Sequence, residues 1–267
     1  MKRLLLLGVA SAVIAFAGFT PRDANVHAQS RQLSIVNADS GHVALGLAIR
    51  RLGVSGTFVQ TAAHPDDEHN QLHALFARGM GLRSIIVQTT RGAGGQNEIG
   101  PELFQDMAVL RTAELLAARR LDGAEQWFTR AIDYGYSFSP DEIYAKWGRR
   151  EVVADFVRLI RTLRPDVVLT MNIQGRGGDR AHEATAVLTR EAFRAAADPM
   201  QFPEQIAQGL RPWQARKLYF SGLPGAPLPG GGRGAGVQPP APPTPAPAVR
   251  LATVNAGAYD ALLGRTY

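Results

Sequence analysis

Apolar and polar positions along this chain fall into short continuous apolar runs separated by longer mixed segments. The run Gly56 to Gln60 reads as a first strand, Ser84 to Gln88 as a second, Glu125 to Thr129 as a third and Lys217 to Phe220 as a fifth. Asp166 to Met171, after Arg164-Pro165, is an apolar fourth strand. Between them lie predicted helices: Gly41 to Leu52, Leu72 to Arg78 ending at Gly79, Glu151 to Leu163 after a break at Gly148, and about His182 to Ala197. Ser139-Pro140-Asp141-Glu142 has the form of a helix start. Pro101 is predicted to open a long helix to about Arg120, with proline in the first turn, where its missing N–H costs nothing.

Strands alternating with helices of ten or more residues predict an α/β fold: a mostly parallel sheet covered on both faces, a three-layer sandwich. In such sheets ligands sit beyond the carboxyl ends of the strands. The segments "HPDDE", "TTRGAGGQNE" and "NIQGRGGDRAH" each follow a predicted strand, so they are expected on one rim.

Both ends of the chain, and one stretch inside it, break this pattern. Met1-Lys2-Arg3 is basic, Leu4 to Phe19 is apolar, and Val26-His27-Ala28 fits a small-residue cleavage site before Gln29. Residues 1–28 therefore read as a signal peptide, and the mature chain is expected to be exported, periplasmic or extracellular, with no stable membrane insertion after cleavage. Residues 222–249 are rich in Pro, Gly and Ala and offer few side chains to bury, so a flexible loop is expected there. Residues 29–221 form the expected domain, and 250–267 read as the start of a helical C-terminal part that stops before completion.

Composition narrows the function classes. The 267 residues are 45% hydrophobic, enough for a sizeable core, and hold no cysteine, so neither disulfides nor a lipidated cysteine enters. The net charge of +6 falls to +4 once Lys2, Arg3, Arg22 and Asp23 leave with the signal peptide. The arginines are scattered, with no basic block interleaved with aromatics, which argues against nucleic acid as a partner.

His64, Asp66 and Asp67 carry the strongest chemical signal. A histidine and a carboxylate at a strand end can ligate a divalent cation; catalytic zinc takes three protein ligands and keeps one position open. His182, at a helix start on the same rim, is the best distant third donor. Other readings compete. Asp66 or Asp67 could cap the following helix. His69 and His73, four apart, fit either a second metal pair or two polar groups on an exposed helix face; they lack the glutamate of the HExxH pattern. Arg111 and Glu114 could form a surface pair. The glycines of "RGAGGQNE" match no phosphate-binding fingerprint.

Taken together, "AHPDDE" (Ala63 to Glu68), "TTRGAGGQNEIGPEL" (Thr89 to Leu103), "LRTAELLAARRLDGAEQWFTRAIDYGYS" (Leu110 to Ser137) and "GGDRAHEA" (Gly177 to Ala184) resemble the PIG-L/LmbE-like family of zinc-dependent N-deacetylases, above all its large exported bacterial members. The resemblance implies a Rossmann-like fold and removal of acetyl groups from N-acetylated, usually sugar-containing substrates. It implies Zn2+, or another divalent ion, held by His64, Asp67 and His182, with Asp66 as general base and Arg111 binding substrate. Asp179 stands where family members usually carry a histidine, and the resemblance gives that position a catalytic role at the tetrahedral intermediate. The family also continues beyond "GRTY" into further helix, which implies a C-terminally truncated chain. Two alternatives stay open: a metallo-amidase acting on a non-sugar substrate, and a secreted metal-binding domain without catalysis.

Overall fold

The computed structural model describes residues 39–95, 97–173, 178–222 and 251–267. The expected signal peptide and, apart from Gly222, the Pro/Gly-rich loop of 222–249 lie outside the described residues.

Five strands form one parallel sheet: β1 (Thr57–Ala62), β2 (Arg83–Gln88), β3 (Glu125–Phe128), β4 (Val167–Thr170) and β5 (Lys217–Phe220), in the order β3-β2-β1-β4-β5. The chain leaves β1 towards one edge through β2 and β3, then returns to pair β4 on the other side of β1. The order reverses between β1 and β4, and in open α/β sheets that crevice is where ligands bind. β1 and β2 are buried along nearly their whole length, because both faces are covered and no solvent face needs polar alternation.

On one face Val59, Ile85, Val87 and Trp127 pack against α4 (Pro140–Trp147), α5 (Arg149–Leu163) and α6 (Ala181–Ala195) through Ile143, Phe156, Leu159, Ile160, Leu188 and others. On the other face Phe58 meets His73 and Phe76, with ring centroids 5.4 and 4.7 Å apart. These residues belong to α2 (Asn70–Ala74) and to the π-helical turn Leu75–Gly79 that continues it; α3 (Gln105–Asp122) completes the layer. α1 (Gly41–Arg51) precedes the sheet, and α7 (Pro203–Ala207) is a short helix that the apolar pattern did not announce.

Two expectations are corrected. The long helix starts at Gln105, not at Pro101. The Asn97 side-chain oxygen accepts the N–H groups of Ile99 and Gly100, its amide donates to Glu102, and Phe104 has φ +52°, so a compact turn occupies the segment. Residues 251–267 form no helix. They run as a loop into a small antiparallel pair, β6 (Tyr259–Asp260) and β7 (Arg265–Thr266), because the Asp260 carboxylate accepts the N–H groups of Leu262 and Leu263 and Gly264 sits at φ +68°.

Candidate metal and catalytic site

The turn after β1 is built from within. Gln60, fully buried in β1, accepts the His69 N–H through its side-chain oxygen (3.0 Å), and its amide reaches the Asp67 carbonyl (3.4 Å). The His64 N–H donates to Asp67 Oδ2 (2.8 Å) and the Asp67 N–H to the His64 carbonyl (3.2 Å), closing the turn on itself. Neither aspartate caps α2, whose N-cap position is His69 and carries no side-chain bond.

At this turn His64, Asp67 and His182 each offer one ligand atom, all within 4.8 Å of one another. His64 Nδ1 lies 3.4 Å from Asp67 Oδ2, and His182 Nε2 lies 3.3 Å from Asp67 Oδ1. Asp179 Oδ2 stands 3.6 Å from His64 Nε2, while its other oxygen accepts the Ser137 and Ala181 N–H groups. His64, Asp67 and His182 are only 13–21% exposed at the side chain, dry enough for charge to matter yet open to a ligand. Two imidazoles and a carboxylate converging on one point are the donor chemistry zinc accepts.

His182 is aimed by α6. Thr185 and Thr189 share its helical face and bond to the sheet: Thr185 to Thr89 (3.0 Å), and Thr189 to Thr61 (2.9 Å), which also donates to Thr170 (2.7 Å). These hydroxyls fix the rotation of α6 against β1.

Adjacent carboxylates have opposite environments. Burial alone would raise Asp67, but hydrogen bonds from His182 and His64, with their charges, hold it well below the ordinary carboxylate range. Asp66 is raised, by desolvation first and by the negative charge of Asp67 second, against the pull of Arg111 and His64. Its side chain is 77% exposed, so water still reaches the carboxylate. For His64, burial opposes protonation, but the hydrogen bond to Asp67 and the charges of Asp67, Asp133 and Asp179 outweigh it and raise its pKa.

Arg111 reaches this turn from α3. It donates to the Pro65 carbonyl (2.5 Å) and to Asp66 Oδ2 (3.2 Å), not to a surface partner at Glu114. The glycines of "RGAGG" make room for it: a β-carbon on Gly92 would lie 2.7 Å, and one on Gly95 2.5 Å, from Arg111 Nη1. His73 is no surface ligand. It is fully buried, bonded to Ser84 Oγ (2.8 Å) and Gln60 Oε1 (2.9 Å), and burial holds its pKa well below the usual range.

Three residues carry roles that the motifs did not announce. Glu68 Oε2 accepts the Asp66 N–H (3.0 Å) and a Gln88 amide proton (2.9 Å), and so braces a residue held at φ +106°. Arg119, with no exposure, stands 3.6 Å behind Glu68 and pairs with Asp122 at 2.7 Å. Asp133 is buried in the loop after β3 and bonds the Gly135 N–H. Glu68 could have been read from "HPDDE"; the others carry no spacing signal. A cavity of about 780 Å³ lies elsewhere, between β1, β4, β5 and residues 251–254, and its lining includes none of the three clustered donors.

Fold and site define a class: a three-layer α/β protein with a two-histidine, one-carboxylate cluster at the switch point of its sheet and a second carboxylate beside it. The chain belongs to the PIG-L family; the family model, described as GlcNAc-PI de-N-acetylase, matches residues 59–193. It is 30% identical over 180 residues to a 1D-myo-inositol 2-acetamido-2-deoxy-alpha-D-glucopyranoside deacetylase of Thermobispora bispora, covering 61% of this chain and 57% of that one. It is 28% identical over 173 residues to a mycothiol S-conjugate amidase of Streptomyces coelicolor, covering 60% and 58%. The chain thus spans less than two thirds of the length of these relatives. Among solved structures, the N,N'-diacetylchitobiose deacetylase from Pyrococcus horikoshii shares the fold, with a TM-score of 0.51 at 20% identity over 66% of this chain and 67% of that one.

Proposed function

We propose that this protein is a metal-dependent N-deacetylase acting on an N-acetylated, sugar-containing substrate outside the cytoplasm. The observation that carries the reading is the convergence of His64, Asp67 and His182 beside an Asp66 carboxylate that is not part of the cluster. The two imidazoles and Asp67 would hold Zn2+, and another divalent ion would suit the same donors. When bound, the ion supplies Lewis acidity towards the amide carbonyl and lowers the pKa of water towards ~7.

The chain's own residues do the rest. Asp66 accepts a proton from the attacking water as its oxygen bonds to the acetyl carbon. It then passes that proton to the amine nitrogen as the C–N bond breaks, leaving acetate and a free amine. A raised carboxylate pKa makes Asp66 a stronger base towards the water and keeps more of it protonated for the later donation, and such assistance contributes ~10²–10⁴-fold. Arg111 holds the Pro65–Asp66 turn, and from there its guanidinium would bind substrate. Asp179 Oδ1 accepts two backbone N–H groups, which holds its Oδ2 3.6 Å from His64 Nε2; the proton relay is assigned to Asp66. The basic and apolar N-terminal pattern supports export.

The likeness to an amidase favours a second reading, in which the same groups cleave a larger amide. Acetate release from a panel of N-acetylglucosamine compounds, beside amine release from acyl-amide conjugates, separates the two. Acetate from the sugar panel is expected; release from the conjugates alone would move the assignment to the amidase, and release from neither would overturn both.

A further inference from the structure

Resting on the deacetylase reading, we propose that Tyr136 and Phe138 form a sugar-stacking platform at the mouth of the site, taking an apolar pyranose face beside the reacting N-acetyl group. Both rings stand in solvent, 54% and 80% exposed, yet they pack on each other with centroids 4.8 Å apart. Leaving two aromatic faces in water costs free energy that a ligand can recover, and exposed apolar patches at a site mouth mark recognition surfaces.

Their loop, between β3 and α4, is fastened to the site. The Ser137 N–H donates to Asp179 Oδ1 (3.3 Å), the Arg180 N–H donates to the Ser137 carbonyl (2.9 Å), and Ser137 Oγ donates to Glu142 (2.7 Å). The Tyr136 hydroxyl lies so close over Gly178, itself at φ +86°, that a β-carbon there would collide with it. Asp179 follows at once and faces His64 at 3.6 Å. The platform is therefore separated from the metal donors by Gly178 and Asp179.

A pyranose ring suits this place better than a bilayer. One of its faces carries axial C–H groups that lie flat on an aromatic ring, while the Tyr136 hydroxyl stays packed over Gly178. The rings are tilted by 58° and pinned on both sides of Ser137, which makes a small rigid notch in place of a broad greasy surface.

The test compares two substrates on the zinc-loaded full chain: a chito-oligosaccharide and an acyclic N-acetyl amide. In Tyr136→Ala, and to a lesser degree in Phe138→Ala, the sugar-to-acyclic ratio of kcat/KM is expected to fall about tenfold. The change should fall on KM for the sugar, and Tyr136→Phe should retain the ratio. Equal losses on both substrates, or an unchanged ratio with an unchanged melting temperature, would overturn the platform. So would binding of the wild type, but not Tyr136→Ala, to anionic phospholipid vesicles with the sugar KM unaltered. If the wild type releases no acetate, the deacetylase reading fails. The platform is then decided by saturation-transfer NMR with the same oligosaccharide. Transfer to the sugar ring protons that disappears in Tyr136→Ala supports it, and no transfer from the wild type rejects it.

Discussion

Asp66 and Asp67 are neighbours in sequence whose environments push their proton affinities apart. That divergence separates a base from a ligand when two carboxylates share a site. Asp66→Asn is expected to keep the metal and lose ~10²–10⁴-fold of turnover; loss of metal in that variant would reverse the two roles. His182→Ala is expected to weaken metal binding strongly, measured as metal per chain after dialysis. On the proposed metal-dependent reading, protons would compete with the metal at His64. Its raised pKa means that, without metal, its contribution to stability is full below the ordinary histidine value near ~6.5 and is lost as pH rises through the folded value. Asp67 is lowered, so its contribution is present above about 3.9 and is lost only as pH falls through its folded value. Zinc affinity should therefore fall, and protons should be released on binding, as pH drops through the raised His64 pKa; calorimetry in buffers of different ionisation enthalpy checks this. At this scale the sequence singled out His64, Asp66, Asp67 and His182, because each sits in a distinctive run after a strand, whereas Arg111, inside α3, was marked only by the family resemblance. It hid Arg119 and the burial of His73, whose partners Glu68, Asn70, Ser84 and Gln60 come from other segments, and it hid Asp133, whose bond to the Gly135 N–H is local to its loop.

The helix α6 shows how an element aims a residue. His182, Thr185 and Thr189 lie on one face, and the two threonines bond to β1 and to the end of β2. Thr189→Val is expected to cost about 1 kcal/mol, and Thr185→Val a similar amount, by leaving Thr61 or Thr89 one hydrogen bond short. Thermal or urea unfolding measures this. A loss in metal affinity beyond the stability change would show that helix rotation sets the ligand geometry. Most elements were legible as apolar runs of the right length. The start of α3 was not, because Asn97 satisfies nearby N–H groups and delays the helix past a proline that suits a first turn. Nor was the β6–β7 pair: its apolar residues look helical until the Asp260 carboxylate captures the following N–H groups.

For the whole molecule, alternation of strands and helices predicts a parallel sheet, but the strand order β3-β2-β1-β4-β5 is set by which strands neighbour β1, and no local pattern states that. The order matters because it puts the end of β1 beside the end of β4, which brings His182 to His64 across more than a hundred residues. Two long-range clamps hold the frame. Arg161 is buried and donates to the carbonyls of Ala195, Ala196, Asp198, Gln201 and Phe202, stitching α5 to the segment after α6. Asp260 is buried, accepts two bonds from Arg50 (2.6 and 3.3 Å) and one from the Tyr267 hydroxyl, and ties residues 251–267 to α1. Asp260→Ala should destabilise the chain by about 3 kcal/mol, because it takes the carboxylate from a partly buried guanidinium and leaves it the Arg78 carbonyl; a change within about 0.5 kcal/mol, the size of a surface substitution, would mean that the strip adds nothing to the fold.

The most direct measurement is acetate release from N-acetylglucosamine compounds by the metal-stripped chain, titrated with zinc, with Asp66→Asn alongside. The account predicts activity that rises to a plateau at one zinc per chain and is nearly absent in Asp66→Asn, which still binds one zinc. Activity that survives removal of the metal, or that Asp66→Asn retains in full, would contradict it.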